Sequence, residues 1–349
     1  MKKNVLMIGP SINGNGGIAS VIKSYSESNK LNSKIELISS YKDGNKVKKL
    51  IEFIKGLTCC FYKLALNKNI DIVHIHSASR ASFERKKYFL KLSKLFNKKV
   101  ILHIHGAEFM EYYNECSLKK KNIIKEVITS ADVVIALSRK WKEDLSKISS
   151  RDNIKVVYNP VVVDKFYKSS CEKENIVFMG RVGKRKGIYD LMEVMPQVIN
   201  DFPNVNLYIC GDGELDKVKK IIEKNKLSKN ILLMGWVNEE KKISILKESS
   251  INVLPSYNEG MPISILEAMS SGVPTLATNI AGIPEEIENK KNGYLFNPGD
   301  AQTLYEYIIS LLNDKDLRSK MGDEAFKKVK KNFDISVIES QLIAVYKNI

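Results

Sequence analysis

Short apolar runs alternate with longer amphipathic ones along nearly the whole chain. In the first half KNVLMIG, KIELIS, DIVHIH, KVILHIH, ADVVIAL and IKVVYNP read as strands, with helical stretches near 17–28, 46–67, 82–96, 117–129 and 138–147. The second half repeats the pattern with NIVFMG, VNLYICG, NILLMG, SINVLP and VPTLAT, each followed by a helical segment. These strands are nearly continuous apolar runs, the pattern of a parallel sheet covered on both faces. Strand–helix alternation then predicts right-handed βαβ units and an α/β fold of doubly wound sheets. Helical runs at 300–312 and 315–331, then FDISVIESQLIAVY, close the chain.

The joint falls near YNPVVVDKFYKSSCEKEN, 158–175, where Pro160 stops a strand. A chain of 349 residues is long for one core. The pattern predicts a Rossmann-like domain over 1–165, a second over 166–332, and a C-terminal helix over 333–349 packing back towards the first. Two such domains place their switch-point crevices opposite one another, so a cleft between them is the expected binding site.

Charge changes that picture more than composition does. The chain has 56 Lys+Arg and 40 Asp+Glu, a formal +16. Residues 1–166 hold 31 and 15 of these, and residues 167–349 hold 25 and 25, so the whole excess lies on the first half. That half offers either a solvated basic surface or a patch for anionic lipid or substrate. The five cysteines, 59, 60, 116, 171 and 210, show no C-x-x-C spacing and suggest reduced, buried thiols in a cytoplasmic protein. MKKNVLMIG reaches Pro10 and Gly14 before a secretory core develops. The best membrane-span candidate, LIEFIKGLTCCFYKLAL at 50–66, is interrupted by Lys55 and Lys63. It is also shorter than the roughly 20 apolar residues a span needs.

Four stretches carry candidate chemistry. GRVGKRKG, 180–187, sets Arg181 and Lys186 at a strand's carboxyl end, where open α/β sheets bind ligands. Such cations are either a solvated run or a clamp for the charge developing on a phosphate leaving group. NEGMPISILEAM puts Glu259 at the mouth of a helix and Glu267 further along it. GNGGIAS, 14–20, offers glycines and a helix N-terminus to an anion. Gly14, Gly16 and Ala19 also fit a dinucleotide fingerprint with Glu36 downstream, but Gly9 to Gly14 inserts a loop where the strand should lead straight in. The four histidines form two H-x-H strands. Residues two apart share a strand face, but no carboxylate or cysteine at ligand spacing accompanies them as zinc would require. DKD, 314–316, formally matches a D-x-D metal motif, yet it lies between helical runs, where a helix-start role is expected.

Together these stretches resemble retaining nucleotide-sugar glycosyltransferases of the two-Rossmann-domain (GT-B) class, specifically glycosyltransferase family 4. The resemblance covers nearly the whole chain, most closely from Gly180 to Asn297 and least between 40 and 130. The family's Arg-x4-Lys-Gly matches Arg181, Lys186 and Gly187, and its Glu-x7-Glu matches Glu259 and Glu267. The resemblance implies that Arg181 and Lys186 clamp the diphosphate, that Glu259 accepts from donor-sugar hydroxyls, and that Glu267 holds the ribose. It places the backbone of Gly260, Met261, Pro262, Ile263 and Ser264 against phosphate or sugar oxygens, and Gly211 and Asp212 near the nucleotide. Gly16 and Gly17 would face the diphosphate from the first domain. His105 would sit beside the reacting sugar, with Glu108 on the acceptor side.

The implied reaction moves a hexose or N-acetylhexosamine from an NDP-sugar, UDP by family preference, to a hydroxyl of a glycan or lipid-linked saccharide. The implied setting is cell-surface polysaccharide biosynthesis. No cofactor and no metal are expected, since Arg181 and Lys186 supply the leaving-group charge. The enzyme is expected to be cytoplasmic, peripheral at the inner face of the cytoplasmic membrane, with no nucleic-acid partner. One alternative is an NAD(P)-dependent oxidoreductase built on the first domain. Another is a basic binder of nucleic acid or acidic glycan, which would leave the neutral second half unexplained.

For the basic half, the stretch 79–99 carries Arg80, Arg85, Lys86, Lys87, Lys91, Lys94, Lys98 and Lys99 against only Glu84. The periodicity predicts Leu92, Leu95 and Phe96 on the sheet, with Lys86, Lys87, Lys91 and Lys94 turned outward to acidic lipid.

Overall fold

A computed structural model describes residues 3–28, 30–31, 35–149, 152–169 and 172–349. The chain divides into two compact units, residues 1–160 with 335–349, and residues 161–334. In the first unit the strands are β1 (Val5–Pro10), β2 (Ile35–Tyr41), β3 (Ile72–Ser77), β4 (Lys99–Ile104), β5 (Val133–Ala136) and β6 (Ile154–Val156). Its helices are α1 (Gly17–Glu27), α2 (Lys46–Leu66), α3 (Ala81–Leu95), α4 (Phe109–Glu115), α5 (Leu118–Ser130) and α6 (Arg139–Ser146). The sheet is parallel in the order β2-β1-β3-β4-β5-β6, so the winding reverses between β1 and β3. β3 is buried along its whole length, as its unbroken apolar pattern requires of a strand covered on both faces.

The second unit repeats the plan with β7 (Asn175–Met179), β8 (Asn206–Cys210), β9 (Ile231–Gly235), β10 (Ile251–Leu254), β11 (Thr275–Thr278) and β12 (Gly293–Phe296). Its helices are α7 (Ile188–Asp201), α8 (Leu215–Lys224), α9 (Glu239–Lys247), α10 (Ile263–Ser270), α11 (Ile283–Glu286), α12 (Ala301–Asn313) and α13 (Lys315–Asn332). The order is β12-β11-β10-β7-β8-β9, all parallel, with the reversal between β7 and β10. β12 and α4 escape the sequence pattern. The four residues GYLF become a strand only by pairing along β11, Thr275 opposite Gly293 through Thr278 opposite Phe296. The last helix, α14 (Ile335–Lys347), belongs to the first unit, where buried Glu339 accepts from Ser28 and pairs with Lys30 at 2.8 Å.

Two expectations need correction. On α3 the buried positions are Phe83, Lys86, Phe89, Leu90 and Ser93, while Leu95 is 76% exposed. The helix is therefore rotated so that Lys86 faces inward, where it donates to Ser40 Oγ. Lys87 is tied to Glu84 at 2.6 Å and Lys94 to Asp132, which leaves Lys91 alone of the four projecting freely. The cysteines are not uniformly buried either. Cys60 and Cys210 are, but Cys59 is exposed and Cys116 intermediate, because α2 turns only one of its adjacent thiols inward; Cys171 lies outside the described residues. The stretch 50–66, expected not to span a membrane, forms part of α2 on the surface of the first unit. Among the described residues no helix is long and apolar enough to cross a membrane.

Candidate functional site

In the second unit the winding reverses between β7 and β10, and ligands of open α/β sheets bind outside the strand ends at such a reversal. The loop after β7 carries Arg181 and Lys186, and the loop after β10 carries Glu259. Gly187 joins the two loops. It sits at φ 70°, ψ 20°, and a Cβ there would overlap the Pro255 carbonyl, so no other residue lets the chain pass so close to the end of β10. Arg185 stitches the same seam: its carbonyl accepts from Tyr257 N–H at 2.8 Å and its guanidinium donates to the Asn258 carbonyl at 2.9 Å. Its role was invisible in the sequence, where it is one more cation in a basic run.

These constraints bring Lys186 Nζ to 2.5 Å from Glu259 Oε1, with side-chain exposures of 13% and 5%. Ser256 Oγ also donates to Glu259 Oε1, at 2.6 Å, and the Ser256 carbonyl accepts from Thr278 Oγ1 at 2.6 Å. The carboxylate is thus held at a fixed point before α10, by a cation and a hydroxyl. In α10 the N–H groups of Ile263 and Ser264 occupy the first turn, which lacks intrahelical acceptors. Pro262, the N-cap, has no N–H to contribute. Glu267, one turn into the helix, pairs with Lys242 of α9 at 2.6 Å.

Arg181 is exposed on the other side of the loop. The segment after β8 zips against it: Val182 N–H donates to the Asp212 carbonyl at 2.6 Å, and Glu214 N–H to the Val182 carbonyl at 2.8 Å. Gly211, at φ 152°, permits this, since a Cβ would collide with the Gly180 carbonyl. Asp212 is exposed at the same strand ends as Arg181. The Glu214 carboxyl is held below its usual range by Tyr189 O–H and Lys217, with Arg181 contributing. Asp314 Oδ1 accepts from Leu317 N–H at 2.8 Å and so caps α13.

One buried acid here had no sequence signal. Glu286, in α11, is 0% exposed, and neither carboxylate oxygen has a hydrogen-bond partner among the described residues. Burial, with the charges of Glu259 and Glu285 adding to it, pushes its pKa well above the normal range, against the opposing pull of Lys328 and Lys186. It holds a proton in the folded protein at pH values where the unfolded chain has lost it. The stability this retained proton confers is complete below the unfolded value of 4.5 and declines as pH rises towards the folded value. Glu286→Gln should therefore gain on the parent as pH is raised above about 4.5. Thermal melts of both proteins between acid and alkaline pH check this, and parallel curves would refute it.

In the first unit Gly16 is the N-cap of α1 and Gly17 its first residue, both exposed. Gly14 closes a turn onto the Ser11 carbonyl at 2.9 Å, so a loop separates β1 from α1 and the dinucleotide fingerprint lacks its strand–turn–helix context. The four histidines stand on one face of β3 and β4. His76 Nδ1 lies 2.9 Å from His105 Nε2, His74 Nε2 lies 3.3 Å from His103 Nδ1, and His74 Nδ1 lies 2.7 Å from Tyr346 O–H. Burial pushes the His105 and His74 pKa values down to about 3, so the rings are neutral. His74, His76 and His103 offer ligand atoms within 4.8 Å of one another. The rings are stacked or tilted by 8° to 33°, however, so their in-plane lone pairs do not converge on one point, and a cation would have to turn them. Glu108 is not free for an acceptor as it stands, because Arg80 Nε lies 3.5 Å from its Oε2.

The chain matches the profile described as Glycosyl transferases group 1 over residues 164–328 and that described as Glycosyltransferase Family 4 over residues 43–165. It is 30% identical over 296 residues to the UDP-Gal:alpha-D-GlcNAc-diphosphoundecaprenol alpha-1,3-galactosyltransferase of Escherichia coli, covering 78% of this chain and 74% of that one. It is 26% identical over 297 residues to the N-acetyl-alpha-D-glucosaminyl L-malate synthase of Bacillus anthracis, covering 81% and 76%. Its fold matches Anabaena HepE, solved in complex with UDP-glucose, at a TM-score of 0.79 and 17% identity over the full length of both chains.

Proposed function

Since the chain belongs to the family 4 glycosyltransferases of the two-Rossmann-domain class, we propose that it transfers a hexose or N-acetylhexosamine, with retention, from a UDP-sugar to a hydroxyl of a glycan or lipid-linked saccharide. The observation that carries this reading is the meeting of Lys186 and Glu259, 2.5 Å apart, at the strand-order reversal between β7 and β10. When a donor enters, Lys186 turns to the diphosphate and Glu259 accepts from sugar hydroxyls, each exchanging one charge-assisted partner for another. Arg181, exposed beside the 211–214 loop, adds the second cation. Glu267 holds the ribose. Ile263 and Ser264 N–H groups, with the helix dipole behind them, meet phosphate oxygens.

Such a site supplies charge where charge develops on the leaving group, so it needs no divalent ion. Front-face attack through an oxocarbenium-like state, with the departing phosphate taking the acceptor proton, gives retention. Neutral His105 positions the reacting sugar, and it does so without competing for that proton. The nucleotide in the HepE complex and in the name of the E. coli relative favours UDP. That relative's name also includes a diphosphoundecaprenol-linked sugar, which favours a lipid-linked acceptor, polysaccharide biosynthesis, and work at the cytoplasmic face of a membrane.

A thermal-shift panel of UDP, GDP, ADP and their sugars tests the reading. A ligand bound only by the folded state stabilises it by about 2.7 kcal/mol at 100 times its Kd. UDP and a UDP-sugar should raise Tm by several degrees, and sugar transfer should persist in excess EDTA. A panel in which no nucleotide raises Tm would overturn the donor assignment. Loss of transfer in EDTA would overturn the metal-free clamp.

A further inference from the structure

Nine of the fifteen exposed large hydrophobic residues among those described lie on α2 and α3. On α2, Leu50, Ile51, Ile54, Phe61, Tyr62 and Leu66 are between 45% and 81% exposed. At 100° per residue these positions fall on one side of the helix, while Gly56, Cys60 and Leu64 form the buried side. From Leu50 to Leu66 the stripe runs for about 24 Å. It continues into a cleft of about 570 Å³ between α2 and α3, where Phe61 and Tyr62 face Tyr88 and Leu95. Scattered apolar residues on a surface need no explanation, but a contiguous face of this length does.

The margins of the stripe say what covers it. Lys48 and Lys55 lie along its Tyr62–Leu66 edge on α2 and Lys91 stands at the cleft, all three exposed and without a carboxylate partner among the described residues. A second copy of the chain would bring these like charges together. A bilayer with anionic headgroups accepts both the apolar stripe and the cations.

We propose that α2 lies in the interface of an anionic bilayer with this stripe inserted, so that apolar burial, more than charge, holds the protein there. The proposal deepens the lipid-linked-acceptor reading and rests on it for its purpose. It also replaces the lysine face of α3, which is spent on internal partners.

Sedimentation of the full chain with vesicles of phosphatidylcholine containing phosphatidylglycerol tests it. Binding should persist when NaCl is raised to about 0.5 M, where exposed charges are largely screened. Ile51→Asp/Ile54→Asp should lower the partition coefficient by about tenfold or more, since both side chains leave an apolar environment. The Tm of this variant, and its Tm shift with UDP, should match the parent's because both positions are exposed. Phe61→Trp should blue-shift its fluorescence on adding vesicles. Binding abolished by salt, or equal in the aspartate variant, would overturn the proposal. So would a parent dimer in light scattering that the two aspartates dissociate. The UDP shift is read in the same samples. A protein that binds UDP but no vesicles sinks this proposal alone, and one that binds vesicles but no nucleotide sinks the donor reading alone.

Discussion

Lys186→Ala should lower sugar transfer by about 10- to 150-fold or more, the effect of losing a charge-assisted hydrogen bond that the transition state uses. From the sequence, as a cation in a polar loop, Lys186 looks removable without harm to the fold. The structure overturns that expectation. Its partner Glu259 is 5% exposed, so removing the ammonium strands a buried carboxylate. Breaking one side of such a pair typically costs about 3–5 kcal/mol. The alanine variant should therefore lose both Tm and turnover, and turnover alone cannot separate the two causes. Lys186→Met/Glu259→Gln removes both charges together. Its Tm should return to within a few degrees of the parent while transfer stays lost. If the double variant regains transfer along with stability, the pair is structural and the diphosphate clamp is wrong. Arg181→Ala is the companion: the side chain is exposed, so transfer should fall with no change in Tm.

Lys86→Met should raise stability at neutral pH and flatten its pH dependence. Lys86 is 2% exposed, donates to Ser40 Oγ, and feels the charge of Arg85 beside it on its own helix, with His76 facing it from β3. Burial, with Arg85 adding to it, pushes its pKa down from 10.5 to about 7. The unfolded chain therefore binds more protons between pH 7 and 10.5, so the parent's stability rises with pH across that window and is lowest below it. A shift of that size corresponds to roughly 5 kcal/mol at most. Methionine keeps the length and drops the charge, and Ser40 Oγ retains its own bond to the Gly9 carbonyl at 2.8 Å. Chemical denaturation at several pH values between neutral and pH 10 reads the result. A destabilised variant, or one with the parent's slope, would mean that the ammonium has a partner worth more than its burial costs.

The chain by itself determined the architecture of both units. Continuous apolar runs such as DIVHIH and NIVFMG can be stable only as strands covered on both faces, and helices between them leave a parallel doubly wound sheet as the solution. The spacing of Arg181, Lys186, Glu259 and Glu267 was equally legible, because each motif sits immediately after an apolar run, where a strand end must be. What only the tertiary structure decided was the partner of each charge. Glu259 meets Lys186 across 73 positions of sequence because β7 and β10 are neighbours in the sheet, which no local pattern encodes. Glu286 reads as one of two acids at a helix start, and it becomes an unpartnered interior carboxyl only when α11 packs. The rotation of α3 was beyond periodicity too. Lysine and leucine share its stripes, so the sheet, not the sequence, chose to bury Lys86 and to leave Leu95 in the open. In α2 both sides are apolar. The packing of Cys60 and Leu64 against the first unit fixed which side would face outward, and so exposed the stripe from Leu50 to Leu66.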